Sequence, residues 1–168
     1  MIKVYKSYED RLVELDREQI EDGVWISLTQ PSAEELEFVE KLTEAPQDFV
    51  RAALDPEESS RIEIEDNQIL VLVNGPLARD ANSEEYDTLP LGIIVTPDYF
   101  VTISQNDCEA LLPFNADRAK YFCTFKRTRF LFQILYRSAA LFLNDLRQMT
   151  RRSDRIEDDL RQSMKNHE

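Results

Sequence analysis

Carboxylates are the side chains whose number and grouping could do chemistry in this sequence. The 168 residues include 33 Asp and Glu against 20 Lys and Arg, which gives a formal net charge of −13. Asp55, Glu57 and Glu58 fall together in a predicted loop, and carboxylate oxygens are the ligands that Mg²⁺ and Ca²⁺ prefer. This cluster is therefore the best local candidate for metal ligands. A solvated acidic loop is the alternative, because no EF-hand spacing accompanies the cluster.

Other catalytic groups are scarce. The only histidine is His167, next to the last residue, so nucleophile systems of the Ser/His/Asp or Cys/His type lack their base. Cys108 and Cys123 form no CxxC pair, which fits a reducing compartment better than a disulfide scaffold. Three glycines cannot build a phosphate-binding or dinucleotide-binding loop. We expect no catalytic residues and no cofactor, with a hard cation such as Mg²⁺ as the ion that carboxylates could bind.

One enzyme class stays open as an alternative. A carboxylate-based hydrolase needs a buried acid with a raised pKa beside an ionised one, about 5–10 Å away. Most acids here lie on polar faces of predicted strands and helices, so the sequence disfavours this class.

Charge is unevenly distributed along the chain. Acidic residues dominate positions 1–116, whereas positions 117–168 carry more basic than acidic side chains. An acidic body repels nucleic acid and attracts cations, or a basic region of another copy. We predict that divalent cations and other copies of the chain are partners, and that nucleic acid is not. Ordinary solubilising charge is the alternative reading of any single patch.

The first half of the chain alternates strand and helix signals. Positions 24–28 predict a strand, and Ser32 followed by Glu35 predicts a helix that begins with a capping box. A second short helix is predicted from about Pro46, since proline suits a first helical turn.

Two hairpins are predicted next. Arg61–Asp66 alternates apolar and charged residues, and Ile69–Val73 is continuously apolar, with Asn67-Gln68 as the turn between them. Leu89–Thr96 and Tyr99–Ser104 form the second pair. The predicted fold class is α/β (α+β), a mixed β-sheet sandwiched by helices in an α/β/α arrangement, followed by a long C-terminal helix.

From about Arg127 to Lys165 the chain contains neither Pro nor Gly and predicts one helix of ~55 Å. Its apolar stripe comprises Phe130, Ile134, Leu135, Ala139, Phe142, Leu146 and Met149, and then narrows to Ile156, Leu160 and Met164. The unfinished stripe predicts truncation and a partner helix. We divide the chain into an α/β domain, 1–117, and a helical segment, 118–168. The apolar run Phe130–Leu143 is too short to span a membrane, so any membrane contact is expected only through segments beyond this sequence.

Several segments in series resemble the cytoplasmic domain of the CorA family of magnesium and cobalt transporters. They are Trp25–Leu28, Pro31–Leu36, Ala45–Leu54, Arg61–Asp66, Leu91–Ser104 and Phe142–Leu160. The resemblance implies the N-terminal cytoplasmic domain of a divalent-cation transporter at the cytoplasmic face of the cell membrane, homopentameric in the full-length protein and regulated by Mg²⁺ bound between subunits. The Gly-Met-Asn pore signature and both membrane helices are absent from the sequence.

The family's regulatory acids do not carry over. The positions that correspond to them are occupied by Arg51, Ala52 and Arg137. The resemblance therefore predicts weak Mg²⁺ sensing or different ligands, with Asp55 as the substitute. The alternative to a transporter domain is an α/β interaction module that self-associates through its C-terminal helix. Which cation is carried, and in which direction, is left open.

Overall fold

The computed structural model describes residues 1–9, 11–77, 86–115 and 117–165. Its described part contains a mixed sheet with the strand order β2-β1-β3-β7-β6-β5-β4. The strands are β1 (Ile2–Tyr8), β2 (Arg11–Leu15), β3 (Trp25–Thr29), β4 (Arg61–Glu65), β5 (Gln68–Pro76), β6 (Thr88–Val95) and β7 (Phe100–Ser104). The helices are α1 (Ala33–Thr43), α2 (Gln47–Ala52), α3 (Leu112–Asn115) and α4 (Arg127–Lys165), with a 3₁₀ turn at Arg17–Gln19.

The centre of the sheet is a parallel pair. β3 and β7 run side by side with Trp25 opposite Phe100 and Thr29 opposite Ser104. The other neighbouring strands are antiparallel. Because a parallel pair needs a long crossover, α1, α2 and the β4–β6 meander all lie between β3 and β7 in sequence.

The N-terminal ends of α1 and α2 are determined by residues next to them in the sequence. The Ser32 side chain accepts from the Glu35 backbone amide, and the Glu35 carboxylate accepts from the Ser32 amide, which confirms the predicted capping box. Pro46 stands at the N-cap of α2. These contacts satisfy amides that a helix leaves unpaired at its first turn.

Two apolar cores lie on opposite faces of the sheet. One packs α1 and α2 against residues such as Ile26 and Leu28 of β3. The other packs α3 and the first turns of α4 against the opposite face, where Trp25 and Phe100 lie. The predicted α/β/α arrangement with a long C-terminal helix is confirmed.

Aromatic rings fix the start of α4 on the sheet. The Phe130 ring lies 4.3 Å from that of Phe100 and 4.9 Å from that of Trp25, measured between centroids. The Trp25 indole N–H donates to the Thr102 hydroxyl at 2.9 Å. Large buried aromatic surfaces with a satisfied polar atom are a strong source of packing energy, so this end of α4 is held firmly.

The remainder of α4 leaves the sheet. Phe130, Ile134, Ser138 and Leu141 are buried, whereas the side chains after Leu141 are partly or fully exposed. With 39 residues, the helix is about 58 Å long at 1.5 Å per residue. The predicted apolar stripe includes Ala139, and this part of the prediction is wrong because Ala139 is exposed. The helix contacts the sheet through Ser138 and Leu141 instead.

Two details of the meander also differ from prediction. The turn between β4 and β5 is Asp66-Asn67, both at positive φ, and Gln68 already belongs to β5. Asp and Asn tolerate this left-handed conformation better than most residues, which is why they occupy the turn. Ile62 and Ile64 share a face as expected, but β4 is an edge strand and they are 68% and 74% exposed.

Candidate functional site

A cavity of about 630 Å³ opens on the α4 side of the sheet, at the carboxyl ends of β3 and β7. Alternate residues of β1 and β3 form one part of its lining, and the loop after β7, α3 and α4 form the rest. The residues that line it are Met1, Lys3, Tyr5, Ser27, Thr29, Asp107, Glu109, Leu112, Pro113, Arg118 and Arg137. Open α/β sheets commonly bind ligands outside the carboxyl ends of parallel strands.

Arg137 is the unusual residue of this cavity. It follows the buried Ile134 and precedes the buried Ser138 and Leu141, so it lies on the face of α4 that packs toward the sheet. Its Nε is buried and meets no hydrogen-bond acceptor among the described residues. A buried polar group without a partner costs free energy, and more so when it is charged.

The other charges in the cavity are mixed. Lys3 pairs with Glu14 at 3.5 Å, a contact that is largely exposed. Burial raises the pKa of the Tyr5 hydroxyl, and the nearby Lys3 ammonium opposes that shift. Tyr5 therefore stays protonated at neutral pH and can donate a hydrogen bond into the cavity.

The acidic cluster proposed from sequence forms a turn. The Asp55 carboxylate accepts from the Glu57 backbone amide at 2.9 Å, and the Asp55 carbonyl accepts from the Glu58 amide at 3.2 Å. The Glu58 carboxylate is paired with Arg61. No group of three or more His, Cys, Asp or Glu side chains that could hold a metal ion occurs in the described ranges.

The three positions predicted to correspond to the family's regulatory acids are separated within this chain. Arg51 is exposed on α2, with its Nε 3.5 Å from a Glu40 oxygen, and Ala52 is buried beside it. Arg137 lies on α4, on the other side of the sheet. Sequence reasoning identified Arg137 only as a position that corresponds to a regulatory acid of the family, whereas the cavity formed around it depends on strands distant in sequence.

Within the described part of the chain, no helix combines the length and the apolar character that crossing a membrane requires. The acidic and basic side chains of the exposed half of α4 account for this result, since they interrupt every apolar run there.

The sequence matches the family model for CorA-like Mg²⁺ transporter proteins over residues 21–168, and the chain belongs to that family. No curated protein sequence shows significant similarity to the chain. The family is one of transporters rather than enzymes.

Solved structures support the fold. The soluble domain of CorA from Methanocaldococcus jannaschii is 22% identical with a TM-score of 0.74, and the alignment covers 95% of this chain and 64% of that one. The complete CorA magnesium transporter from the same organism gives 20% identity, a TM-score of 0.75, and coverage of 95% and 51%. The ZntB cytoplasmic domain from Vibrio parahaemolyticus is 14% identical with a TM-score of 0.67, covering 87% and 62%. The chain thus spans about half of the complete transporter that it resembles.

Proposed function

We propose that this chain is the cytoplasmic regulatory and assembly domain of a divalent-cation transporter that carries Mg²⁺ or Co²⁺. The match to the family model over residues 21–168 is the observation that carries the proposal. The sheet, its two helical layers and α4 agree with the fold of CorA domains. In this proposal the domain lies at the cytoplasmic face of the membrane and assembles as a homopentamer in the full-length protein.

The direct test is the sequence of the source gene downstream of codon 168. The proposal expects two apolar runs of about 20 residues each, the length needed to cross a bilayer, with Gly-Met-Asn after the first. A stop codon within a few residues would contradict it.

We further propose that Mg²⁺ regulation, where it occurs, uses ligands other than the family's usual acids. Arg51 and Arg137 are cations, and Ala52 is a buried methyl group, so none of the three offers an oxygen ligand. Isothermal titration of the chain with MgCl₂ is expected to give binding weaker than micromolar. Micromolar binding at a subunit interface would refute this part of the proposal.

Asp55 is the substitute ligand to test. Asp55→Asn should reduce any Mg²⁺ binding heat, while Asp48→Asn, an acid in the first turn of α2, should leave it unchanged. If both variants bind as the unmodified chain does, Asp55 is not a ligand.

The alternative function, an interaction module that self-associates through α4, rests on a separate observation. Ile156, Leu160 and Met164 follow each other at spacings of four and are 52%, 60% and 72% exposed. Such a stripe on an extended helix is typical of a surface that another helix covers. A natural stop codon soon after codon 168, together with dimerisation in solution, would favour this function over transport.

A further inference from the structure

Two segments of opposite charge lie at opposite edges of the sheet. Residues 55–66, which include the edge strand β4, carry six acidic side chains against one basic side chain, that of Arg61. Residues 118–129, which lead into α4, carry five basic side chains and no acidic one. We call these the acidic edge and the basic segment. The cations of the basic segment are not needed for solubility, because the chain carries a net charge of −13.

The basic segment is held beside β1 and β2. The backbone amides of Ser7 and Thr124 each donate to the side chain of the other residue. Asp117, directly before the segment, accepts from the Leu12 amide of β2 at 3.2 Å. β2 forms one edge of the sheet and β4 the other. Six strand spacings of about 4.8 Å separate these edges by about 29 Å, so the two segments cannot pair within one chain.

Most charges of the two segments find no partner of opposite sign. None of the five cations of the basic segment forms an ion pair in the part of the chain that the structure describes. In the acidic edge, Arg61 pairs with Glu58 and Glu63. The other acids of that edge form no ion pair among the described residues; they are Asp55, Glu57, Glu65 and Asp66. Unpaired charges of opposite sign attract one another between copies of a chain.

Each segment also exposes two large apolar side chains. Ile62 and Ile64 of the acidic edge are 68% and 74% exposed. Tyr121 and Phe125 of the basic segment are 83% and 50% exposed. Apolar groups surrounded by charges are typical of surfaces that another protein covers. The two surfaces therefore complement each other in charge and both have an apolar centre.

The two surfaces also match in shape. An open cavity of about 630 Å³ lies between the basic segment and the β1–β2 hairpin. Cations outnumber carboxylates in its lining by five to two; the charged residues that line it are Arg11, Arg118, Lys120, Lys126, Arg129, Glu9 and Asp117. β4 is the last strand of the sheet, so its outer side presents backbone N–H and C=O groups to a partner. An edge strand with protruding isoleucines and carboxylates fits a concave, basic surface.

We propose that the acidic edge of one copy docks against the basic segment of a second copy. The proposal rests on the assembly role proposed above, and not on cation transport. Because the two surfaces differ and lie at opposite edges, the contact is head-to-tail, and its repetition gives a ring if the rotation closes. Exposed ion pairs are individually weak, so the 168-residue chain should make this contact with a Kd in the millimolar range.

Paramagnetic relaxation enhancement between copies tests the contact. A spin label on Ser59→Cys, an exposed position of the acidic edge, should broaden the amide NMR signals of the basic segment in a second copy without the label. The labelled copy also carries Cys123→Ser, so that only the introduced thiol is exposed. Both copies carry Ile156→Ser and Leu160→Ser, which removes pairing through α4. The broadening should fall about twofold or more when NaCl is raised from about 20 mM to about 0.5 M, since salt screens exposed charges.

Matched variants separate this contact from general charge attraction. Lys120→Gln with Arg129→Gln, both exposed in the basic segment, should weaken the affinity about fivefold. Ile64→Ser should weaken it about tenfold, because the interface loses a buried apolar side chain. The control, Arg147→Gln with Arg155→Gln, removes the same charge from the exposed part of α4 and should change the affinity less than about twofold.

A second label position decides whether the contact is specific. A label on Ala33→Cys, exposed at the start of α1, should leave the signals of the basic segment sharp. Equal broadening from the two labels, or none from the Ser59 label at about 1 mM chain, near the expected Kd, would overturn the proposal. Broadening confined to β4 would also overturn it, since two acidic edges would then pair with each other. None of these results would bear on the transport role, which the sequence downstream of codon 168 tests.

Discussion

Ser7 and Thr124 are bonded to each other twice, although 117 residues separate them in the sequence. The backbone amide of each donates to the side-chain oxygen of the other, at 3.1 Å in both directions. Both residues are buried. The pair ties β1 to the segment that leads into α4, and thereby sets where Phe130 meets the sheet.

Thr124→Val should destabilise the protein by about 1–3 kcal/mol, because the buried Ser7 amide loses its acceptor while the side-chain volume stays the same. Urea denaturation followed by the fluorescence of Trp25, the single tryptophan, measures the change. Thr128→Val on the exposed face of α4 is the matched control and should alter stability by less than about 0.5 kcal/mol. Similar losses in the two variants would mean that the Ser7–Thr124 pair contributes nothing specific.

Gly92 is required by the close approach of α2's C-terminal end to β6. A Cβ at position 92 would lie 2.9 Å from the Cβ of Ala53, which is fully buried. Gly92→Ala should therefore cost about 1–3 kcal/mol through overpacking. Adding Ala53→Gly removes the clash, so the double variant should be more stable than the sum of the two single changes predicts. Strictly additive unfolding free energies would show that this contact is not the cause.

The two cysteines should differ in reactivity. Burial raises the pKa of the Cys108 thiol, against the opposing effect of hydrogen bonds from the Ala110 and Leu111 amides, while Cys123 is half-buried. Because the thiolate is the reactive form, iodoacetamide at pH 7.5 should alkylate Cys123 at least about tenfold faster than Cys108. Mass spectrometry of timed samples measures both rates. In Cys123→Ser the remaining thiol should react only after urea is added, and rapid labelling of the native variant would contradict the burial of Cys108.

Features with a local cause were predictable from the sequence. The capping box needs only Ser32 and Glu35 at a spacing of three, and α4 needs only a long run without Pro or Gly. Strands β6 and β7 follow from two apolar runs that are bounded by turn residues. Each of these signals is complete within a few neighbouring residues.

Features set by tertiary packing were missed. β2 is an edge strand of mostly exposed residues, so its sequence shows no clear apolar alternation. Ile62 and Ile64 have the pattern of a buried face, yet no helix in the described part covers the edge on which they lie. The cavity around Arg137 was not predictable either, since it needs β1, β3, α3 and α4 to be brought together.

The exposed half of α4 gives the sharpest test of how this chain associates. Ile156 and Leu160 are more than half exposed on one face of the helix, and burying two such side chains against a partner helix is worth about 1.5–3 kcal/mol each. We expect the unmodified chain to associate with rising concentration in sedimentation equilibrium, and the double variant Ile156→Ser, Leu160→Ser to remain monomeric. Because neither side chain contacts the sheet cores, the thermal unfolding of the α/β body should not change.

A control with Arg155→Ser and Asp159→Ser, two exposed residues of the same helix, should still associate. If the unmodified chain and the double variant are both monomeric at high concentration, the stripe does not pair α4 with another copy of the chain.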